Sequence, residues 1–247
     1  MLMFRNIIVN RQGATLNSFM KTNKIIQTIH PNINYKILHQ SLLPLPEYNL
    51  NKVDNIDIKQ PRFTEIDSNW IDDKSIQLKN SNILGFFGRL TVPSQITIPV
   101  NVANYNNVKY YGATLYNIFD IINFKAKEEL PLTEMIIGTD YVDEFILKKD
   151  LGGGQYLEYH DNPHFHSPLN TDNKGYIILG KLENFKLKLS AFIIPYYTAL
   201  YTPGFVIHND GNLVGRWLVV YSKTDNYSTV LLRDENDNCS KINFELK

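Results

Sequence analysis

The sequence predicts a mainly β fold, with a sandwich or barrel in the C-terminal half and some helix in the N-terminal half. From Gly152 onward the strand-like segments QYLEYH, GYIILGKL, FKLKLSAFII, ALYTPGFVIH, GRWLVVYS, STVLLR and SKINFEL follow at short spacing, parted by Gly, Asn and Asp turns. The chain carries 15 Tyr and 13 Phe, an aromatic load that suits pleated sheets better than helix bundles. Before residue 130, two stretches instead space their apolar residues at helical intervals.

In order, Thr15 or Asn17 can cap a helix over residues 13 to 30, whose Leu16, Phe19, Met20, Ile25, Ile26 and Ile29 fall near helical spacing before His30 and Pro31 end it. Residues 41 to 79, broken by Pro44, Pro46 and Pro61, read as irregular chain wrapping the core. Residues 82 to 104 read as strand, with Gly85, Gly88, Pro93 and Pro99 at turns or strand ends. Leu115, Ile118, Phe119, Ile122 and Phe124 suggest a second helix within 112 to 129. The next stretch, TEMIIGTDYVDEFILKKD, reads as a strand or short helix whose Asp140, Asp143 and Glu144 form a solvated face. A boundary near residue 130 is expected, dividing a mixed α/β region (1–130), either a wrap-around extension or a divergent half, from a β domain (131–247).

Lys+Arg and Asp+Glu both number 25, so the chain lacks the concentrated positive charge that phosphate backbones require, and nucleic acid is not an expected partner. Cys239 is the only cysteine, which rules out an intramolecular disulfide or a multi-thiolate metal cluster and suggests a reducing compartment, the cytoplasm. The N-terminus MLMFRNIIVN, interrupted by Arg5 and Asn6, lacks the apolar core of a signal peptide, and no run has the length of a membrane span. The expected partners are a small-molecule ligand and, as an oligomeric option, a second copy of the chain.

The stretch GGGQYLEYHDNPHFH places His160, His164 and His166 within seven residues, and His208 follows at a distant strand end. Antiparallel strands can bring all four to one pocket, where imidazoles serve as ligands of transition metals or as proton shuttles. In an extended QYLEYH, Tyr156, Glu158 and His160 share one face and Leu157 and Tyr159 the other, so Glu158 and His160 are expected to face inward together. His30 and His39, remote in sequence, read as structural or surface residues. The triple glycine 152–154 lacks the G-K-S/T of a phosphate loop and reads as a flexible turn.

Two patterns resemble the motifs of the cupin superfamily, small double-stranded β-helix barrels related to jelly rolls. The first, G-x5-H-x-H-x(3,4)-E-x6-G, is approached by Gly154 ahead of His160, by His164-Phe165-His166 and by Gly180; Thr171 and Asp172 stand near where its glutamate would fall. The second, G-x5-P-x-G-x2-H-x3-N, is approached by TPGFVIHNDGN through Pro203, His208 and Asn212, with its glycine at Gly204. The likeness covers about residues 150 to 222. It implies a C-terminal cupin-like barrel with metal ligands at His208, His166 and His164 and an open carboxylate position; strand alternation adds Glu158 and His160, giving Glu158, His160, His166 and His208 as a three-histidine, one-carboxylate set suited to Fe, Mn, Ni or Zn.

The activity so implied is that of a metal-dependent isomerase or dioxygenase acting on a small polar molecule, with His160, His166 and His208 at the reacting centre. Of the tyrosines, for which core packing is the default, Tyr201 is carried as a candidate catalytic phenol. Arg216, on the strand after His208, is the candidate cation for a ligand carboxylate or phosphate. Three other readings compete. In one, a metal-free sugar-epimerase-like barrel uses a histidine as base beside Asp161 or Asp172. A facial triad would pair His160 or His164 with a carboxylate, with His208 completing the set, but Asp161 directly adjoins His160 and so faces away from it in a strand. The last is a non-catalytic small-ligand module, since a fold does not fix a function.

Overall fold

The computed structural model describes residues 8–45, 57–78, 86–222 and 224–246. Residues 1–7, Pro46 and Gly85, discussed above, lie outside them. The first strands are β1 (Asn10–Gln12), β2 (Phe19–Ile29), β3 (Asn34–Ile37), β4 (Leu42–Leu45), β5 (Thr64–Asp67), β6 (Ile71–Gln77), β7 (Phe86–Thr91) and β8 (Gln95–Val102). After the short helix α1 (Tyr105–Lys109) come β9 (Thr114–Asn117), β10 (Ile121–Asn123) and β11 (Leu130–Ile137). A π-helical turn, Val142–Ile146, leads to β12 (Tyr156–His160), β13 (His164–Pro168), β14 (Lys174–Gly175), β15 (Ile177–Glu183) and β16 (Lys186–Ile193). The chain closes with β17 (Thr198–Thr202), β18 (Ile207–Asn209), β19 (Leu213–Val220), β20 (Tyr227–Arg233) and β21 (Lys241–Glu245).

Two large sheets result. One has the order β1-β2-β11-β19-β13-β17-β9, with β14 also on β19; the other has the order β21-β8-β16-β15-β18-β12-β20-β7-β6, with β5 on β16. They face each other across a core that mixes Met20, Met135, Trp217 and Val219 of the first with Phe87, Tyr156, Leu179 and Leu231 of the second. A small sheet, β10-β3-β4, covers the far face of the first sheet through Tyr35, Ile122, Phe124 and Phe165. A third cluster, including Leu90, Ile98, Leu157, Leu189 and Val230, fills the far face of the second sheet.

The helices expected before residue 130 are not present, and the reason is visible in the pairing. β2 pairs antiparallel with β11, with register shifts between Leu132 and Thr133 and between Glu134 and Met135, so Ile26 and Asn23 are extra residues in β2. Each such bulge resets the in–out alternation, and the apolar residues then fall at intervals that imitate a helix. In the second stretch the intervals come from a corner: β9 lies in a large sheet, β10 in the small one, and Phe119 between them has a positive φ of 79° and stands 67% exposed. The only α-helix among the described residues is α1, capped by Asn104, whose side chain accepts from the backbone N–H of Asn106 and Asn107. Strands from both sides of residue 130 share the two large sheets, β2 beside β11 and β7 beside β20, so the sheets do not divide at that residue. No helix among the described residues is long and apolar enough to cross a membrane.

Candidate metal centre

The site lies between the two large sheets, where β12 and β18 of one sheet approach β13 of the other. Strand alternation aims the side chains. Leu157 of β12 packs into the outer core, so Tyr156, Glu158 and His160 turn to the opposite face, the distribution expected from the sequence. Phe165 of β13 packs under the small sheet, which turns His164 and His166 inward. Opposite Glu158 on its neighbouring strands stand His208 and Thr229.

Glycines allow the close approaches. A Cβ on Gly204 would lie 2.2 Å from the Asp161 carbonyl oxygen, so only a glycine lets the Pro203–Gly204 turn reach the loop that joins β12 to β13. There the Phe205 N–H donates to the His160 carbonyl at 2.7 Å, tying the two histidine-bearing segments together. Gly153 and Gly154, with positive φ, bend the chain from the π-helical turn into β12.

The four imidazoles are buried and mutually close. Ring centroids are 4.5 Å apart for His160 and His164, 4.6 Å for His164 and His208, 5.0 Å for His160 and His208, and 5.6 Å for His164 and His166. Two donor groups arise, His160-His164-His208 and His164-His166-Asp210, each with ligand atoms within 4.8 Å of one another. The Nδ1 of His208 lies 2.8 Å from the Val206 carbonyl oxygen, which can only accept, so Nδ1 carries the proton and Nε2 keeps its lone pair. That Nε2 lies 3.6 Å from Glu158 Oε1, too far for a hydrogen bond. His166 Nε2 donates to Asp210 Oδ2 at 3.2 Å, and the Tyr156 hydroxyl donates to Asp210 Oδ1 at 2.6 Å. Glu158 Oε2 accepts from the Thr229 hydroxyl at 3.2 Å.

Burial sets the charges. It pushes the Glu158 carboxyl up to about 7 against the opposing pull of His160. Burial, reinforced by His208, brings His160 down to about 4. Burial, with His160 and His208, holds His164 well below the usual histidine range, and burial lowers His208 as well. Asp210 behaves in the opposite sense: burial would raise it, but the His166 hydrogen bond, the nearness of the His166 and His164 rings, and the Tyr156 hydroxyl hold it far below the usual carboxylate range. At neutral pH His160, His164 and His208 are therefore neutral beside an ionised Asp210.

Five ring nitrogens of this cluster, both of His160, Nδ1 of His164, Nδ1 of His166 and Nε2 of His208, are buried with no hydrogen-bond partner among the described residues. Each such orphan costs about 1–3 kcal/mol, and an aggregate of lone-pair donors facing one space fits a transition-metal ion. The buried histidine cluster can hold a metal ion.

The chain matches no protein-family model, no curated protein and no solved structure. What the site can do is therefore argued from its own residues.

Two residues singled out in the sequence are not at this site. Tyr201 pairs with Phe165 across β17 and β13 and so points to the outer core, where its hydroxyl accepts from the Lys125 N–H at 3.2 Å. Arg216 holds Glu134 through Nε at 2.9 Å and Nη2 at 2.7 Å, on a separate hollow. Of the acids weighed as partners, Asp161 turns outward to Thr224 and Lys127, and Asp172 is exposed. His30 pairs with Glu129 at 2.8 Å, and His39 packs against Tyr196 and Tyr197. Sequence reasoning missed Asp210, although it stands two residues after His208, the spacing at which an extended chain shares a face. It also missed Arg11 and Thr229, which reach the site only through strand pairing distant in sequence.

Proposed function

We propose that the chain is a cupin-like, metal-dependent enzyme acting on a small polar molecule, of isomerase or dioxygenase type. Its divalent transition ion (Fe, Mn, Ni or Zn) would be held by His160, His164 and His208, with Glu158 alongside. The observation that carries this is the set of buried, unpartnered imidazole nitrogens contributed by strands of two facing sheets. The resemblance of TPGFVIHNDGN to the second cupin motif supports it: within that stretch Gly204 meets the loop after β12 and His208 stands in the histidine cluster.

When bound, the ion supplies Lewis-acid polarisation or redox chemistry. The chain supplies the rest. Glu158, with its carboxyl near 7 and its Oε1 3.6 Å from His208 Nε2, holds or gives up a proton at that oxygen close to neutral pH. Asp210 and Tyr156 orient His166, so that its Nδ1 lone pair points away from the carboxylate. Phe145, Ile146 and Met135 line the same cavity and keep bulk water from it.

A second reading is favoured by one specific contact. The hydrogen bond between His166 and Asp210 gives a metal-free barrel of the sugar-epimerase type an oriented histidine base, with Asp210 in the place expected for Asp161 or Asp172. Metal analysis separates the two. Purified protein should carry close to one transition ion per chain, and His208→Ala should lose it. Protein without metal, whose activity is indifferent to chelators but abolished by Asp210→Asn, would replace the first reading with the second.

A further inference from the structure

Arg11 of β1 lines the same cavity as His160, His164, Glu158 and Asp210. Its Nη1 donates to the Tyr141 hydroxyl at 3.1 Å and lies 3.9 Å from the Met20 sulfur. Among the described residues its buried Nε has no partner and no carboxylate pairs with the guanidinium, Asp210 being engaged by His166 and Tyr156. Guanidinium groups removed from water are normally met by an anion in a bidentate fork, and leaving one unmet is costly. Around it the wall is apolar: Phe87, Met135, Phe145 and Ile146. The cavity volume, about 80 Å³, corresponds to roughly five to eight water-sized positions.

We propose that this cavity takes a small amphipathic monocarboxylate, its carboxylate held by the Arg11 guanidinium and its short apolar end against Phe87, Met135 and Phe145. This names the substrate class of the metal site proposed above and rests on that reading. Arg11 offers one guanidinium fork, with one Nη on Tyr141, and the wall beside it is apolar, which suits a ligand with a single carboxylate and a short hydrocarbon end. Inorganic phosphate, more highly charged and more strongly hydrated, gains nothing from the apolar wall, and the cavity leaves no room for a long acyl chain.

Butyrate, butanol, butylammonium and inorganic phosphate are the probes, titrated calorimetrically into the full chain with and without Zn²⁺ loading. Metal content is read first and separately. Butyrate should bind the loaded wild type at least tenfold more tightly than butanol, butylammonium or phosphate. Arg11→Met should weaken butyrate at least tenfold without changing metal content, and Arg11→Lys, which keeps the charge but not the fork, should fall between. Equal butyrate binding by Arg11→Met, or butanol or phosphate binding as tight as butyrate, overturns the proposal while leaving the metal reading intact. A wild type that takes up no ion overturns the metal reading; butyrate binding to that protein, lost in Arg11→Met, would still uphold the role of the arginine. Should Arg11→Met fail to fold, Arg11→Lys and the comparison of the four probes on wild type decide the matter.

Discussion

His164 is the residue on which the two donor groups overlap, since it stands in both His160-His164-His208 and His164-His166-Asp210. Replacing it removes a ligand from either arrangement, whereas His166→Ala leaves the three-histidine group complete. We therefore expect His164→Ala, like His160→Ala and His208→Ala, to weaken metal affinity by more than about a hundredfold. His166→Ala and Asp210→Asn should cost only about 10–100-fold, the range for partners that orient a ligand. Competition with a metallochromic chelator measures both, and a His166→Ala loss equal to that of His160→Ala would move the ion to the second group. At this scale the sequence was informative where spacing and alternation act together: three histidines in seven residues, and Glu158 two residues from His160 on one strand face. It was uninformative where a partner comes from another strand, as Arg216 shows by being taken up by Glu134 while Arg11 occupies the pocket.

The element that holds the centre is the turn after β18. Asn209 is fully buried; its side-chain amide donates to the Tyr156 carbonyl, and its oxygen accepts from the Gly211 N–H at 2.8 Å and from the Asn212 amide at 3.1 Å. Asn212 in turn exchanges two hydrogen bonds with Gln155, both 3.0 Å. This network fixes the chain on both sides of Asn209, and so fixes His208 and Asp210 relative to β12. Asn209→Ala would remove three buried hydrogen bonds. We expect it to cost roughly 2–4 kcal/mol, or about 4–16 °C in Tm for a chain of this size, and to weaken metal binding although Asn209 is no ligand. Thermal melts and the same chelator competition check this, and unchanged metal affinity would detach the turn from the site. Elements were legible where strands run without interruption, as in β12, β15, β16, β19 and β20, whereas β13 was not among the segments read and ALYTPGFVIH, read as one, is split at Pro203–Gly204 into β17 and β18 of different sheets. Elements were also illegible in β2, where two bulges against β11 break the period of two, and at the β9–β10 corner, where an exposed Phe119 completes a false helical stripe.

For the whole molecule, a cluster of buried neutral histidines ties folding stability to pH. The folded His160 titrates at about 4 against 6.5 for the free side chain, so below 6.5 the unfolded chain binds protons that the folded chain refuses. Its contribution is complete above 6.5 and is lost as pH falls toward 4, amounting to about 3 kcal/mol. Glu158 works in the opposite sense. Raised from 4.5 to about 7, its contribution is complete below 4.5 and is lost as pH rises through 7, so between 4.5 and 6.5 it roughly offsets His160. The balance falls to His164 and His208, both lowered by burial, and both destabilise the fold on acidification. Metal-free protein should therefore lose Tm steadily from pH 7 to pH 5, and a flat or rising Tm would mean that the imidazoles are charged or paired in the folded state. A bound ion favours only the folded chain, by about 2.7 kcal/mol at a free concentration one hundred times Kd, or about 5–11 °C in Tm. That increment should vanish in His208→Ala, because the ion is held by nitrogens that only the folded sheets bring together.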